Sequence, residues 1–285
     1  MTAISLNGLP AHEINDSNWS DYVPDANFRL TDNKGNKFFT GCIPISTWNA
    51  ATMKTVPFAA SGIIEYDEKE LAERLEAMWA AQASLMHMMY KYDCLNQSNG
   101  TCWIHGSCQC SMVNFVQMGY TKENGLYRIP SPMSVAYHCY NNYGVRGGYP
   151  TLGIEKYQEH GACTIDYWPE NSTRDSYDTA ESKANRIHQI PEEVVELGSG
   201  EQGMIRSLSA VCQGIPCGNS FNWWSHYLPV TWGRYDGGQL KPGVWNTWGP
   251  NGYGDRGHGL LAGSRRLPSY AVAILRMRQS AGEKQ

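Results

Sequence analysis

The chain has 285 residues, 41% of them hydrophobic and 18% charged, with a formal net charge of −4. That length supports a sizeable core in one large domain or two lobes. The mild acidity and the lack of a Lys/Arg-rich run exclude nucleic acid as the expected partner, and the lack of a run of about 18 apolar residues excludes a membrane span.

The first residues, MTAISLNGLPAHEINDSNWSDY, lack the basic and apolar regions of a secretory signal. The expected location is therefore the cytoplasm or the inside of a virus particle, where thiols stay reduced. Residues 1–64 are rich in Asn, Asp, Pro, Ser and Thr, with apolar bursts at FRLTD, KFFTGCIPI and SGIIEY. They read as an extended arm with short strands, available to wrap the surface or meet an assembly partner. Residues 67–92 predict the strongest helix: Asp67 caps it with Glu70 three residues on, and Leu71, Leu75, Met78, Leu85 and Met89 recur at helical spacing around Gln82. A second helix is expected from Cys102, and a third over 151–161, closed by Gly161. Residues 170–200 are polar and read as a surface crossing. Residues 204–285 alternate apolar runs with Gly/Pro turns, the pattern of a β-rich half.

The nine cysteines are an odd number, so at least one stands outside any intramolecular disulfide, and most read as small core residues. Three crowd into CWIHGSCQC, residues 102–110. Cys102, His105, Cys108 and Cys110 have metal-binding side chains. On a helix, however, the last three lie at about 300°, 240° and 80° from the first, so one tetrahedral ion cannot use them all. No metal or other cofactor is expected. Ile104, Cys108, Met112 and Phe115 share an apolar face, which makes Cys108 a core residue. Cys102, following the Gly100-Thr101 turn, stands at the positive end of the helix dipole, where free amides favour a thiolate nucleophile if a His arrives from elsewhere.

NQSNGTCW around Cys102 resembles the active-site segment of the papain-like cysteine peptidases. GGYPTLGIEKYQEHGACTIDYWPE (147–170), SHYLPVTWG (225–233) and VWNTWGPNGYG (244–254) are similar, in order and approximate spacing, to that family's Gly-Gly loop, histidine strand and Asn-Ser-Trp-Gly motif. The resemblance implies an α+β fold of two lobes: a helical lobe over about 94–190 and a β-rich lobe over about 191–285, forming a catalytic domain at 94–285. Residues 1–93 would be an arm and helix packed on that core. It implies cofactor-free peptide-bond hydrolysis of a peptide or protein substrate through a thioester. Cys102 would be the nucleophile, His226 its acid–base partner, and Asn246 the residue orienting the imidazole. Gln97 would form the oxyanion hole with the Cys102 N–H. Trp248 would shield the His–Asn contact, and Gly147, Gly148, Tyr149 and Pro150 would line the substrate groove.

The sequence departs from the family pattern at several points. Asn99 and Val145 replace a cysteine pair. Gln97 stands five residues before Cys102, one fewer than usual. Tyr227 replaces a small residue after the histidine and is expected to narrow the main specificity pocket. The first 93 residues do not resemble the family's propeptide. The other reading is a structural or interaction protein, such as a virion or assembly subunit, that keeps the peptidase fold with a blocked cleft.

Overall fold

The computed structural model describes residues 5–6, 9–10, 12–31, 35–44, 53–186 and 189–278. Its arm holds a small ladder of β1 (Ser5–Leu6) and β2 (Leu9–Pro10), then β3 (His12–Ile14), then the hairpin of β4 (Arg29–Thr31) and β5 (Lys37–Phe39). The apolar bursts at FRLTD and KFFTG supply that hairpin, whereas SGIIEY forms no strand.

The helix expected at 67–92 is broken. The first part, α1 (Glu68–Ala80), is capped by Asp67, which accepts from the Glu70 amide at 2.8 Å; the second, α2 (Leu85–Met89), is capped by Ser84. Gln82 between them has φ of 53°. The break lets one apolar stripe serve two cores. Leu71 and Leu75 pack with Leu208, Leu228 and Leu240, while Leu85 and Met89 pack with Ile104, Met112 and Phe115.

The helical lobe gathers around α3 (Cys102–Gln117), with α4 (Pro132–Ala136) and α5 (Pro150–His160) against it. Every residue of α3 from Cys102 to Val116 is buried. The helix also lies against the sheet. There Gln109 Nε2 donates to the Trp245 carbonyl at 2.7 Å and Asn114 Nδ2 to the Ile274 carbonyl at 2.9 Å, so buried polar groups find backbone partners.

The β-rich lobe is a seven-stranded sheet. It adds β6 (Pro191–Gly198), β7 (Cys217–Phe221), β8 (His226–Asp236), β9 (Gln239–Trp245), β10 (His258–Leu261) and β11 (Tyr270–Met277) to β3, in the order β3-β10-β9-β8-β7-β11-β6. All pairs are antiparallel except β3 with β10. Two corrections to the sequence reading fall here. The polar stretch at 170–200 contains α6 (Ala180–Arg186) and the edge strand β6, and the β-rich half contains a thirteen-residue helix, α7 (Gly200–Cys212). Met204, Leu208 and Val211, at helical spacing, put one face of α7 on the sheet. Among the described residues no helix is long and apolar enough to cross a membrane.

Candidate active site

Helix α3 begins where the loop before it is pinned. The Gly100 amide donates to the Val145 carbonyl at 2.9 Å, and Thr101 Oγ1 donates to Asn99 Oδ1 at 2.7 Å. Thr101 gives the helix no side-chain cap, so the first turn starts with free amides. Cys102 is the first helical residue and is fully buried. Its thiol points at the carbonyl of Ser225, the residue before His226, at 3.9 Å.

Burial pushes the Cys102 thiol well above its ordinary range, reinforced by the neighbouring Cys42. The backbone N–H groups of Tyr227, Cys42 and Trp103 pull the other way. The expectation of a depressed thiol is therefore corrected for this arrangement: the amides that favour thiolate are present, but exclusion of water outweighs them.

His226 opens β8 and meets Asn246, just past the end of β9, with Nε2 2.8 Å from Asn246 Oδ1. Asn246 Oδ1 also accepts from the Thr247 amide at 2.7 Å, which fixes the oxygen toward the ring. The ring therefore donates from Nε2, leaving Nδ1 as the base nitrogen; Nδ1 is buried without a hydrogen-bond partner. Trp248 stacks on the imidazole at 5.0 Å between centroids and 16° between planes. Burial pulls His226 down to about 3, against the smaller opposing effect of Asn246. In this closed arrangement burial favours the neutral form of both thiol and imidazole.

Gln97 is held on both ends: its Oε1 accepts from Thr247 Oγ1, and its Nε2 donates to the Phe39 carbonyl at 2.8 Å and the Asn99 carbonyl at 3.0 Å. Trp248 Nε1 donates to the same Phe39 carbonyl at 2.6 Å. The arm thus crosses the site, whereas the sequence suggests an arm that wraps the surface or meets an assembly partner. The Gly41 and Cys42 amides donate to the Ser225 carbonyl at 2.9 and 2.8 Å. The Gly148 amide donates to Gly41 O at 2.9 Å, and the Ile43 amide to Gly148 O at 3.1 Å. Gly41 is suited to this passage: its φ is +143°, and a Cβ there would lie 2.1 Å from the Gly100 carbonyl oxygen. Gly147 lies beside the crossing, with its Cβ position 3.0 Å from the Gly41 oxygen. Tyr149 and Pro150 start α5.

Tyr227 is fully buried, its hydroxyl 3.2 Å from Ser107 Oγ. A Cβ at Gly106 or Gly218 would come within 2.7 or 1.9 Å of it, so both glycines make room for this ring. Beside it, Cys42 is buried with Ile154, Val194, Tyr270 and Val272, its sulfur 3.4 Å from Ser220 Oγ.

All nine cysteines are free. No group of three or more His, Cys, Asp or Glu side chains that could hold a metal occurs among the described residues. Sequence reasoning missed the Ser225 carbonyl, Thr247 and the cleft-crossing segment 39–43. Only Gly41, within the apolar burst KFFTGCIPI, marked the last.

No family model and no curated protein matches the sequence. Solved structures do match in fold. Digestive procathepsin L 3 of Tenebrio molitor shares 14% identity over 64% of this chain and 67% of that one, with a TM-score of 0.51. Procathepsin B S9 of Trypanosoma congolense shares 14% over 85% and 87%, with a TM-score of 0.51. Bromelain of Ananas comosus shares 14% over 69% and 98%, with a TM-score of 0.52. The chain has the α+β, two-lobed fold of the papain-like cysteine peptidases.

Proposed function

We propose that the chain is a papain-like cysteine endopeptidase held latent by its own residues 39–43. The observation that carries the reading is the His226–Asn246 hydrogen bond stacked under Trp248, with the Cys102 sulfur facing the carbonyl next to that histidine. A peptide laid along Gly148 would bring its carbonyl to Gln97 Nε2, where the Phe39 carbonyl now sits. Cys102 Sγ would attack that carbon as its proton passes to His226 Nδ1. Gln97 Nε2 and the Cys102 N–H would hold the oxyanion, and His226 would protonate the leaving amine. Water then hydrolyses the thioester, with His226 as base. Asn246 keeps Nε2 protonated and so reserves Nδ1 for this transfer.

Latency follows from what the arm does. It occupies Gln97 Nε2 and the Gly148 backbone, the groups assigned to the substrate, ties itself to Trp248 and the Ser225 carbonyl, and places Cys42 beside the buried Cys102. The second reading, an interaction protein with a permanently closed cleft, draws on the same complete burial of Cys102. The test is exposure of Gly41→Val protein to E64, the inhibitor bound in the bromelain structure. Stoichiometric adduct on Cys102 supports the peptidase. An accessible Cys102 that iodoacetamide alkylates but E64 and peptide substrates leave untouched supports the interaction protein.

A further inference from the structure

Behind the catalytic helix lies an acid–base pair that the proposed mechanism does not use. His105, one turn into α3, is fully buried. Its Nδ1 is 2.9 Å from the Thr101 carbonyl oxygen. A carbonyl only accepts, so Nδ1 carries the hydrogen and the neutral ring presents a bare lone pair at Nε2. That Nε2 has no hydrogen-bond partner, and it faces Glu170 Oε1 at 3.8 Å. A carboxylate opposite a bare imidazole nitrogen sets two acceptors face to face, and one proton on the carboxyl removes the conflict.

Glu170 also belongs to a clamp. Its Oε1 accepts from the Asn96 amide at 2.5 Å. Asn171 Oδ1 accepts from the Ser98 amide at 2.9 Å, and Asn171 Nδ2 donates to the Asn96 carbonyl at 2.8 Å. Gln97 lies between these anchors. From the other side the loop is held by the Gln97 amide on Thr247 O at 2.8 Å and the Gly249 amide on Leu95 O at 2.9 Å.

We propose that Glu170, as the neutral carboxylic acid opposite His105 Nε2, is the positioning residue that holds Gln97 where it can bind a substrate carbonyl, and that losing this proton loosens Gln97. The inference rests on the reading of Gln97 as an oxyanion donor. Burial pushes Glu170 up to about 7 against the smaller opposing effect of the Asn96 amide, and it pulls His105 down to about 4, so burial favours the neutral form of both groups. The other titratable groups that feel Glu170 are the Cys108 thiol on α3 and the Cys94 thiol before it, both raised by burial and neutral. No lysine or arginine among the described residues is recorded in an ion pair with Glu170.

The test compares Glu170→Gln with Glu170→Ala. The Gln amide accepts from Asn96 and offers an N–H to His105 at every pH. The first readout, on the full chain, is the Gln97 side-chain amide resonance between pH 5 and 9. It should titrate near 7 in the wild type and stay fixed in Glu170→Gln. The second is turnover in a Gly41→Val background. Glu170→Gln should keep kcat and carry its activity at least one pH unit further into alkali, and Glu170→Ala should lose tenfold or more in kcat at near-constant KM. A Gln97 resonance that ignores pH in the wild type, or titrates equally in Glu170→Gln, overturns the proposal. Absence of turnover in every protein, the Gly41→Val parent included, overturns the peptidase reading instead; the resonance still decides whether Glu170 positions Gln97.

Discussion

Gly41→Val is the perturbation that most sharply separates a closed site from an absent one. The arm closes the cleft through six hydrogen bonds: two into the Phe39 carbonyl, two from the Gly41 and Cys42 amides to Ser225, and one each way between the arm and Gly148. At a net ~0.5–1 kcal/mol each, closure is worth roughly 3–6 kcal/mol. The open state would then hold about one molecule in 10² to 10⁴, since each 1.4 kcal/mol is tenfold. Any side chain at position 41 is strained at φ +143°, and its Cβ would lie 2.1 Å from Gly100 O. The closed state cannot form without moving backbone on both sides, so valine should raise the rate of Cys102 alkylation by about two orders of magnitude or more. The rate is read by mass-spectrometric mapping of iodoacetamide adducts over time, with circular dichroism confirming the fold. Opening should also release the burial that holds the thiol up, leaving the converging amides and His226 to favour thiolate. Labelling that is no faster in a folded Gly41→Val protein would refute the account of latency.

The remaining predictions concern the site and the fold. In the opened protein, Asn246→Ala should lower kcat about 10- to 100-fold with the fold intact, because the buried Nε2–H loses its partner and the imidazole its orientation; unchanged turnover would make Asn246 a turn residue only. Gly218→Ala should cost about 1–3 kcal/mol in urea unfolding, because its Cβ would lie 1.9 Å from the Tyr227 hydroxyl; an unchanged midpoint would contradict the packing of that ring. His226 and His258 are pulled to about 3 and His105 to about 4, from 6.5, all chiefly by burial. Groups that bind protons more readily when unfolded lose stability as pH falls through the window between the two values. Unfolding free energy should therefore drop below about pH 6.5, by on the order of 2 kcal/mol per such histidine at pH 5. A flat profile from pH 7 to 5 would show that these rings are solvated.

The residues proposed for the site lie in short local motifs, whereas parts of the fold around them are not legible from any one stretch of chain. Cys102 at a helix start, the Gly147-Gly148 pair, the strand beginning at His226 and the Asn246-to-Trp248 motif are local patterns, and each sits where a short stretch of chain dictates it. The elements that were misread depend on distant partners. Gln82 adopts a left-handed backbone because Leu71 and Leu85 belong to different cores, which periodicity along one stretch cannot show. β6 reads as polar because it is an edge strand whose exposed positions carry glutamates. The arm's passage through the cleft depends on contacts of Gly41 and Cys42 with residues roughly 60 to 180 positions away. The burial of Cys102 among Cys42, Ile154, Val194, Tyr227, Tyr270 and Val272 likewise reverses a thiol shift that the helix terminus alone would set.

The proposed peptidase chemistry requires Cys102 to form a thioester with the carbonyl carbon of a peptide. Gly41→Val protein mixed with a slowly deacylating peptide ester, quenched in acid within one turnover and digested under non-reducing conditions, should carry the acyl group on Cys102. The adduct should vanish with His226→Ala. An acyl group on another cysteine, or none on any residue while Cys102 is shown to be accessible to alkylation, would contradict the account.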